Sequence, residues 1–132
     1  MSTIFSKIIK GEIPCYKVAE SADFLAFLDV SPVKKGHVLV IPKIEVDYIF
    51  DMEDQQLANL HLFAKKVAQA LKRTVPCTKV GMAVVGLEVP HAHIHLIPMV
   101  GIGDLNFSNP RVQLSKEEFI ALAEEISKNF HH

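Results

Sequence analysis

The run HAHIHLIP, from His91 to Pro98, constrains this chain more than any other stretch. Three of the seven histidines stand there at every second position, alternating with Ala92, Ile94 and Leu96. Period two belongs to an extended strand, whose successive side chains point to opposite faces. His91, His93 and His95 then share one face, roughly 6–7 Å apart per step. Ala92, Ile94 and Leu96 share the other and enter a core. A neutral imidazole carries one donor and one acceptor, and leaving such groups unpaired in an interior costs about 1–3 kcal/mol each. A single inward histidine is commonly a satisfied core residue. A row of three makes sense only where something polar sits against it, which favours a functional site over core packing.

Two chemistries suit such a row. His-x-His on a strand can place two imidazoles on one metal ion, as in three-histidine zinc sites. Alternatively, imidazole is a good nucleophile at neutral pH, and neighbouring groups can hold its tautomer and bind anionic oxygens.

The other elements follow from periodicity. Apolar Ile4, Phe5, Ile8 and Ile9 give Thr3–Lys10 a helical pattern, closed by Gly11. Tyr16–Glu20, Phe24–Asp29 and the β-branched His37–Pro42 read as strands, with SPVKKGH a loop between the last two. Leu57, Leu60, Ala64, Val67 and Leu71 form one face of a long helix over Glu53–Arg73. Leu62 and Phe63 widen that face, which suits either a broad core contact or a dimer contact. Val80–Val85 and His93–Met99 complete five strands, with GLEVPH a tight connection before the triad. Ser115 and Glu118 have the spacing of a capping box opening a last helix. The expected fold is α+β: a five-stranded antiparallel sheet with one long and one C-terminal helix.

The 132 residues suit a single domain spanning 1–132. A formal net charge of −1, with basic residues scattered, argues against nucleic acid or a membrane surface as partner. Cys15 and Cys77 have no spacing pattern, the usage of a reducing compartment. Cys15 follows Pro14 in a turn-like stretch open to exposure. No run approaches the roughly 20 apolar residues of a membrane helix. Lys7, Lys10 and Glu12 interrupt any signal-like segment at the start. The expectation is a soluble cytoplasmic protein.

The stretches IFSKIIKGEIPCYKV, FLAFLDVSPVKKGHVLVIPK and GLEVPHAHIHLIP resemble the histidine triad family of nucleotide hydrolases and transferases. The likeness runs from about Thr3 to Pro98. It is nearest to the Hint-like branch of small purine-nucleotide phosphoramidases, which are usually homodimers. The resemblance implies that His93 is the nucleophile, attacking the α-phosphorus to give a nucleotidyl-histidine that water hydrolyses. It implies that His91 and His37 orient His93, and that His95 contacts phosphate or ester oxygens. Asp29 would accept hydrogen bonds from the ribose hydroxyls. Phe5, Ile8, Phe27, Val30 and Val89 would line the base pocket. Without the resemblance, Asp29 reads equally as a turn residue capping its own backbone. Phe5 and Ile8 read as helix packing, and His37 as an ordinary exposed histidine.

Departures from the pattern are specific. Zinc-binding members carry a Cys-x-x-Cys where this chain has Thr3 and Ser6, and a histidine near Glu45, so no metal is expected here. No cofactor is expected. Before the triad, Leu87 replaces an amide, and Glu88 stands where some members place a serine that serves the leaving group. Glu88 is a candidate proton donor. VGMAVV lacks an asparagine that contacts phosphate, and Met99 replaces an arginine. The segment Asn106–Arg111 has no periodicity; family C-terminal segments cross toward the partner's site, and this one is expected to do so or to be a surface loop. The leading expectation is a hydrolase of purine nucleoside 5′-phosphoramidates or acyl-nucleotides. A dinucleoside polyphosphate hydrolase, a nucleotide-binding regulatory module with decayed catalysis, and a metal-binding protein are the alternatives.

Overall fold

The first helix, α1, forms over Ile4–Ile9 of the computed structural model, which describes residues 3–132. The Thr3 side chain accepts from the Ser6 N–H, and the Ser6 hydroxyl accepts from the Thr3 N–H, a complete capping box. Thr3 and Ser6 thus serve as a helix start. Strands β1 (Lys17–Glu20), β2 (Phe24–Leu28) and β3 (Val38–Pro42) follow, then the long helix α2 (Asp54–Thr74). Strands β4 (Lys79–Ala83) and β5 (Ile94–Met99) precede the last helix, α3 (Lys116–Lys128). Short 3-10 turns at Ile49–Asp51 and Ile102–Asp104 were not anticipated. The five strands form one antiparallel sheet in the order β1-β2-β3-β5-β4.

Both faces of the sheet are covered, which is why β2 and β3 are buried along their whole length. On one face Phe24, Ala26, Leu28, Val38, Val40, Ile94 and Leu96 pack beneath α2 and α3. Helix α2 contributes Leu60, Phe63, Ala64, Val67, Ala70 and Leu71, and α3 adds Phe119, Leu122, Ala123 and Ile126. Phe63 therefore belongs to the core, against Phe24 and Phe130, whereas Leu62 stays exposed. On the opposite face Leu25, Phe27, Leu39 and Ile41 pack against Phe5 of α1.

The triad departs from its expected geometry in one respect. Only His95 lies on the ladder, paired with Leu39 of β3 and Ala83 of β4; the strand starts at Ile94 rather than His93. Beyond the pair Val40–Ile94 the next residue of β3 to face β5 is Pro42, which has no N–H to donate. Its free carbonyl accepts instead from the His91 ring at 2.8 Å, and the Ala92 N–H donates to the Val46 carbonyl at 2.6 Å. The alternation survives without the ladder: Ala92 joins the core with Ile94 and Leu96, while the rings of His91 and His93 lie against Phe5.

Candidate active site

On the α1 face of the sheet, a cavity of about 460 Å³ is lined by Phe5, Ile8, Phe27, Asp29, Val30, Glu88, Val89, His93 and His95. Nine of the eleven residues singled out from the sequence thus share one wall-to-wall space. The other two, His37 and His91, stand directly behind it and are 1% and 0% exposed. His37 is therefore not the ordinary exposed histidine it resembles in isolation.

Backbone groups dictate which nitrogen of each ring carries the proton. The Val33 N–H donates to His37 Nδ1 at 3.2 Å, so the proton of neutral His37 sits on Nε2. His37 Nε2 is 2.9 Å from His95 Nδ1 and donates to it. The proton of His95 is thereby left on Nε2, the nitrogen free to serve the cavity. His93 is set the other way. Its Nδ1 is 2.7 Å from the His91 carbonyl, which can only accept, so Nδ1 carries the proton and Nε2 presents a lone pair. The cavity accordingly receives an unprotonated nitrogen from His93 and an N–H from His95, their rings 4.9 Å apart. His91 donates through Nε2 to Pro42, leaving its buried Nδ1 without a partner among the described residues.

Burial disfavours the charged form of His37, His93 and His95. Desolvation pushes His37 down to about 4, helped by the charge of Arg111 and by His93. It pushes His95 down to about 3, with His37, His93 and Arg111 adding to the effect. His93 is also lowered by burial, opposed by its hydrogen bond to His91 and by the negative charges of Asp29 and Glu88. Asp29 is raised by burial, against the Ser31 N–H that it accepts at 2.8 Å and the nearby Arg111. Asp29 caps its own turn, as it reads in isolation, and its side chain also lines the cavity. Glu88 is exposed at the rim. Cys15 is half-buried rather than exposed and also lines the cavity; burial raises its thiol.

Two lining residues carried no signal of their own in the sequence. Phe107 lies with its ring 4.6 Å from that of His95, and Arg111 reaches the same wall. Both belong to the aperiodic Asn106–Arg111 segment, which lies against this chain's own histidines. No periodicity places a side chain in such a loop; a lone aromatic and a lone arginine among Asn, Ser and Pro are the only hint.

Asp29, His37 and His95 bring three potential metal-ligand atoms within 4.8 Å of one another. The 2.9 Å between the two nitrogens is a hydrogen-bond separation, and the Val33 N–H behind His37 holds the proton in that gap. The arrangement fits a tautomer relay better than a metal, which would need both lone pairs.

A family model described as the HIT domain matches residues 10–101. The adenosine 5′-monophosphoramidase hnt1 of Schizosaccharomyces pombe is 40% identical over 134 residues, covering 96% of this chain and 97% of that protein. Among solved structures, a Hit-like protein involved in cell-cycle regulation from Bartonella henselae superposes with a TM-score of 0.83 at 27% identity, covering 97% of this chain and 96% of that one. A hypothetical histidine triad nucleotide-binding protein from Sulfolobus tokodaii superposes with a TM-score of 0.81 at 29% identity, covering 96% and 90%.

Proposed function

This chain belongs to the HIT domain family, and from that premise we propose that it hydrolyses purine nucleoside 5′-phosphoramidates through a covalent intermediate on His93. The observation that carries the reading is the pair of opposed tautomers: a bare His93 Nε2 beside a protonated His95 Nε2 in one cavity. The S. pombe relative, an adenosine 5′-monophosphoramidase, supports the same substrate class.

In the proposed reaction His93 Nε2 attacks the α-phosphorus. The new N–P bond forms as the bond from phosphorus to the departing amine breaks, and the amine takes up a proton. Glu88, at the rim beside His93, is assigned as the donor of that proton. The Nε2–H of His95 meets charge growing on the phosphoryl oxygens. Water then attacks phosphorus, giving one proton to the Glu88 carboxylate as the N–P bond breaks, which releases AMP and restores both His93 and Glu88. Dividing one displacement into two is the advantage of a nucleophilic side chain. His91 and His37 position the reacting rings, through the His91 carbonyl and the His37 Nε2–H. Asp29 is assigned to the ribose hydroxyls. Phe5, Ile8, Phe27, Val30 and Val89 make an apolar slot with few polar readers, which accepts adenine and guanine alike. Acyl-nucleotides fit the same step, with a carboxylate leaving. The free thiols of Cys15 and Cys77 suit a reducing, cytoplasmic setting, and no described helix is long and apolar enough to cross a membrane.

The test is incubation of the purified chain with adenosine 5′-phosphoramidate and, separately, with diadenosine tetraphosphate, with His93→Ala in parallel. AMP release from the phosphoramidate that disappears in the variant is the expected result. Cleavage of the tetraphosphate alone assigns the chain to the polyphosphate hydrolases. AMP binding without turnover of either makes it a nucleotide-binding module. An unchanged pH–rate profile in Glu88→Gln removes Glu88 from its assigned role.

A further inference from the structure

The cavity holds one permanent cation that the triad chemistry does not use. Among the described lining residues Arg111 is the only lysine or arginine. Its guanidinium is anchored twice: Nη1 donates to the Ser31 carbonyl at 3.2 Å, and Nη2 to the Phe107 carbonyl at 3.2 Å. Each anchor adjoins a lining residue. The Ser31 N–H holds the Asp29 carboxylate, and the Phe107 ring lies against His95. The loop is pinned elsewhere too. The Val112 N–H donates to the Pro32 carbonyl at 2.8 Å, and Lys34 pairs with Asp104 at 3.5 Å. A guanidinium has five N–H donors in a fixed fork. Two are used on carbonyls and three remain.

A nucleotide brings negative charge into this partly desolvated space, and charge taken from water needs a partner. Burial disfavours the charged form of the lining histidines, His93 and His95, and the other charged side chains of the lining, Asp29 and Glu88, have the wrong sign. Resting on the reading of the cavity as a nucleotide site, we propose that Arg111 is a binding residue for the phosphoryl oxygens of the substrate. Asp29 and Arg111, joined through Ser31, then divide the ligand: the carboxylate takes the ribose and the guanidinium takes the phosphoryl group. The competing role is purely structural, a staple from the loop to the turn after β2.

Calorimetry on the full chain at pH 8 separates the two, with AMP and adenosine as ligands and Arg111→Gln and Arg111→Lys as variants. Arg111→Gln is expected to weaken AMP about ten- to a hundredfold while moving adenosine by less than about twofold. Arg111→Lys recovers part of the loss, since it keeps the charge without the fork. Equal losses for both ligands leave Arg111 a staple and overturn the proposal, as does an unchanged AMP affinity. A wild-type chain that binds neither ligand overturns the nucleotide reading itself, and this inference with it.

Discussion

At the scale of single residues, the chemistry of this site is written by two backbone groups. The Val33 N–H fixes His37 and, through it, His95; the His91 carbonyl fixes His93. This makes the two cavity-facing rings unequal, although they are the same residue on the same face. Substitutions at His95 expose the difference. His95→Asn keeps a polar group near the Nδ1 position but loses the distal donor, and kcat is expected to fall about 10²–10³-fold, the range for removing one preorganised donor. His95→Gln extends an N–H toward the Nε2 position and should lose less. Equal losses in steady-state assays of the two variants would remove the donor role. The pH dependence follows from His93. Attack needs the neutral ring, and burial lowers its pKa, so the acid limb of kcat/KM is expected to have its midpoint below the ordinary 6.5. A midpoint above 6.5 contradicts a desolvated nucleophile.

At the scale of elements, much was legible because local signals and packing agree. Ser115 and Glu118 cap α3 as their spacing requires, and the Leu60–Leu71 face of α2 enters the core. The start of β5 was not legible. The alternation of HAHIHLIP continues past the ladder, so periodicity overruns the strand; only the missing N–H of Pro42, a residue 52 positions before Ile94, ends it. Phe107 and Arg111 were illegible as site residues for the opposite reason: their loop is fixed by tertiary hydrogen bonds and has no period to read. Gly36 links elements to the site. It has φ +97, and a Cβ there would meet Pro98 and Val75 at 3.1 Å and Leu71 at 3.3 Å, immediately before His37. Gly36→Ala is expected to cost about 2–3 kcal/mol, from left-handed backbone strain plus crowding. Gly11→Ala is the control: φ is +81, but no atom of the described residues lies within 4 Å of a Cβ there, so backbone strain of about 1 kcal/mol is what acts. Urea denaturation ranks the pair, and equal losses would show that packing around Gly36 relaxes freely.

At the scale of the molecule, the sheet carries α2 and α3 on one face and α1 with the histidines on the other, and leaves β4 as an edge. Met82, Val84, Val85 and Leu87 are exposed on or just after that edge, which favours pairing with a second copy of the chain. The homodimer that the family resemblance implies is proposed to form along this edge. In light scattering, wild type is expected to have the mass of a dimer and Met82→Lys to shift toward monomer. A monomeric wild type removes the dimer, whereas a dimer unaltered by Met82→Lys places the contact elsewhere. The buried histidines have a consequence for the whole fold. His37 and His95 titrate at about 4 and about 3 in the folded chain but near 6.5 when unfolded. Below 6.5 the unfolded chain therefore binds more protons, so stability is full above that pH and drains away as pH falls toward the folded values. Asp29, raised by burial, has the opposite sign, so it offsets part of the histidine effect. Counting His37 alone, the loss between pH 7 and pH 5 is about 2 kcal/mol, or roughly 5–10 °C in Tm for a chain of this size. Thermal melts across that interval measure it directly. His37→Asn, which removes the ring, should flatten the slope even if it lowers Tm at pH 7. A wild-type Tm that stays level from pH 7 to pH 5 would mean that the rings take up protons without leaving their places, and the tautomer relay on which His95 depends would not hold.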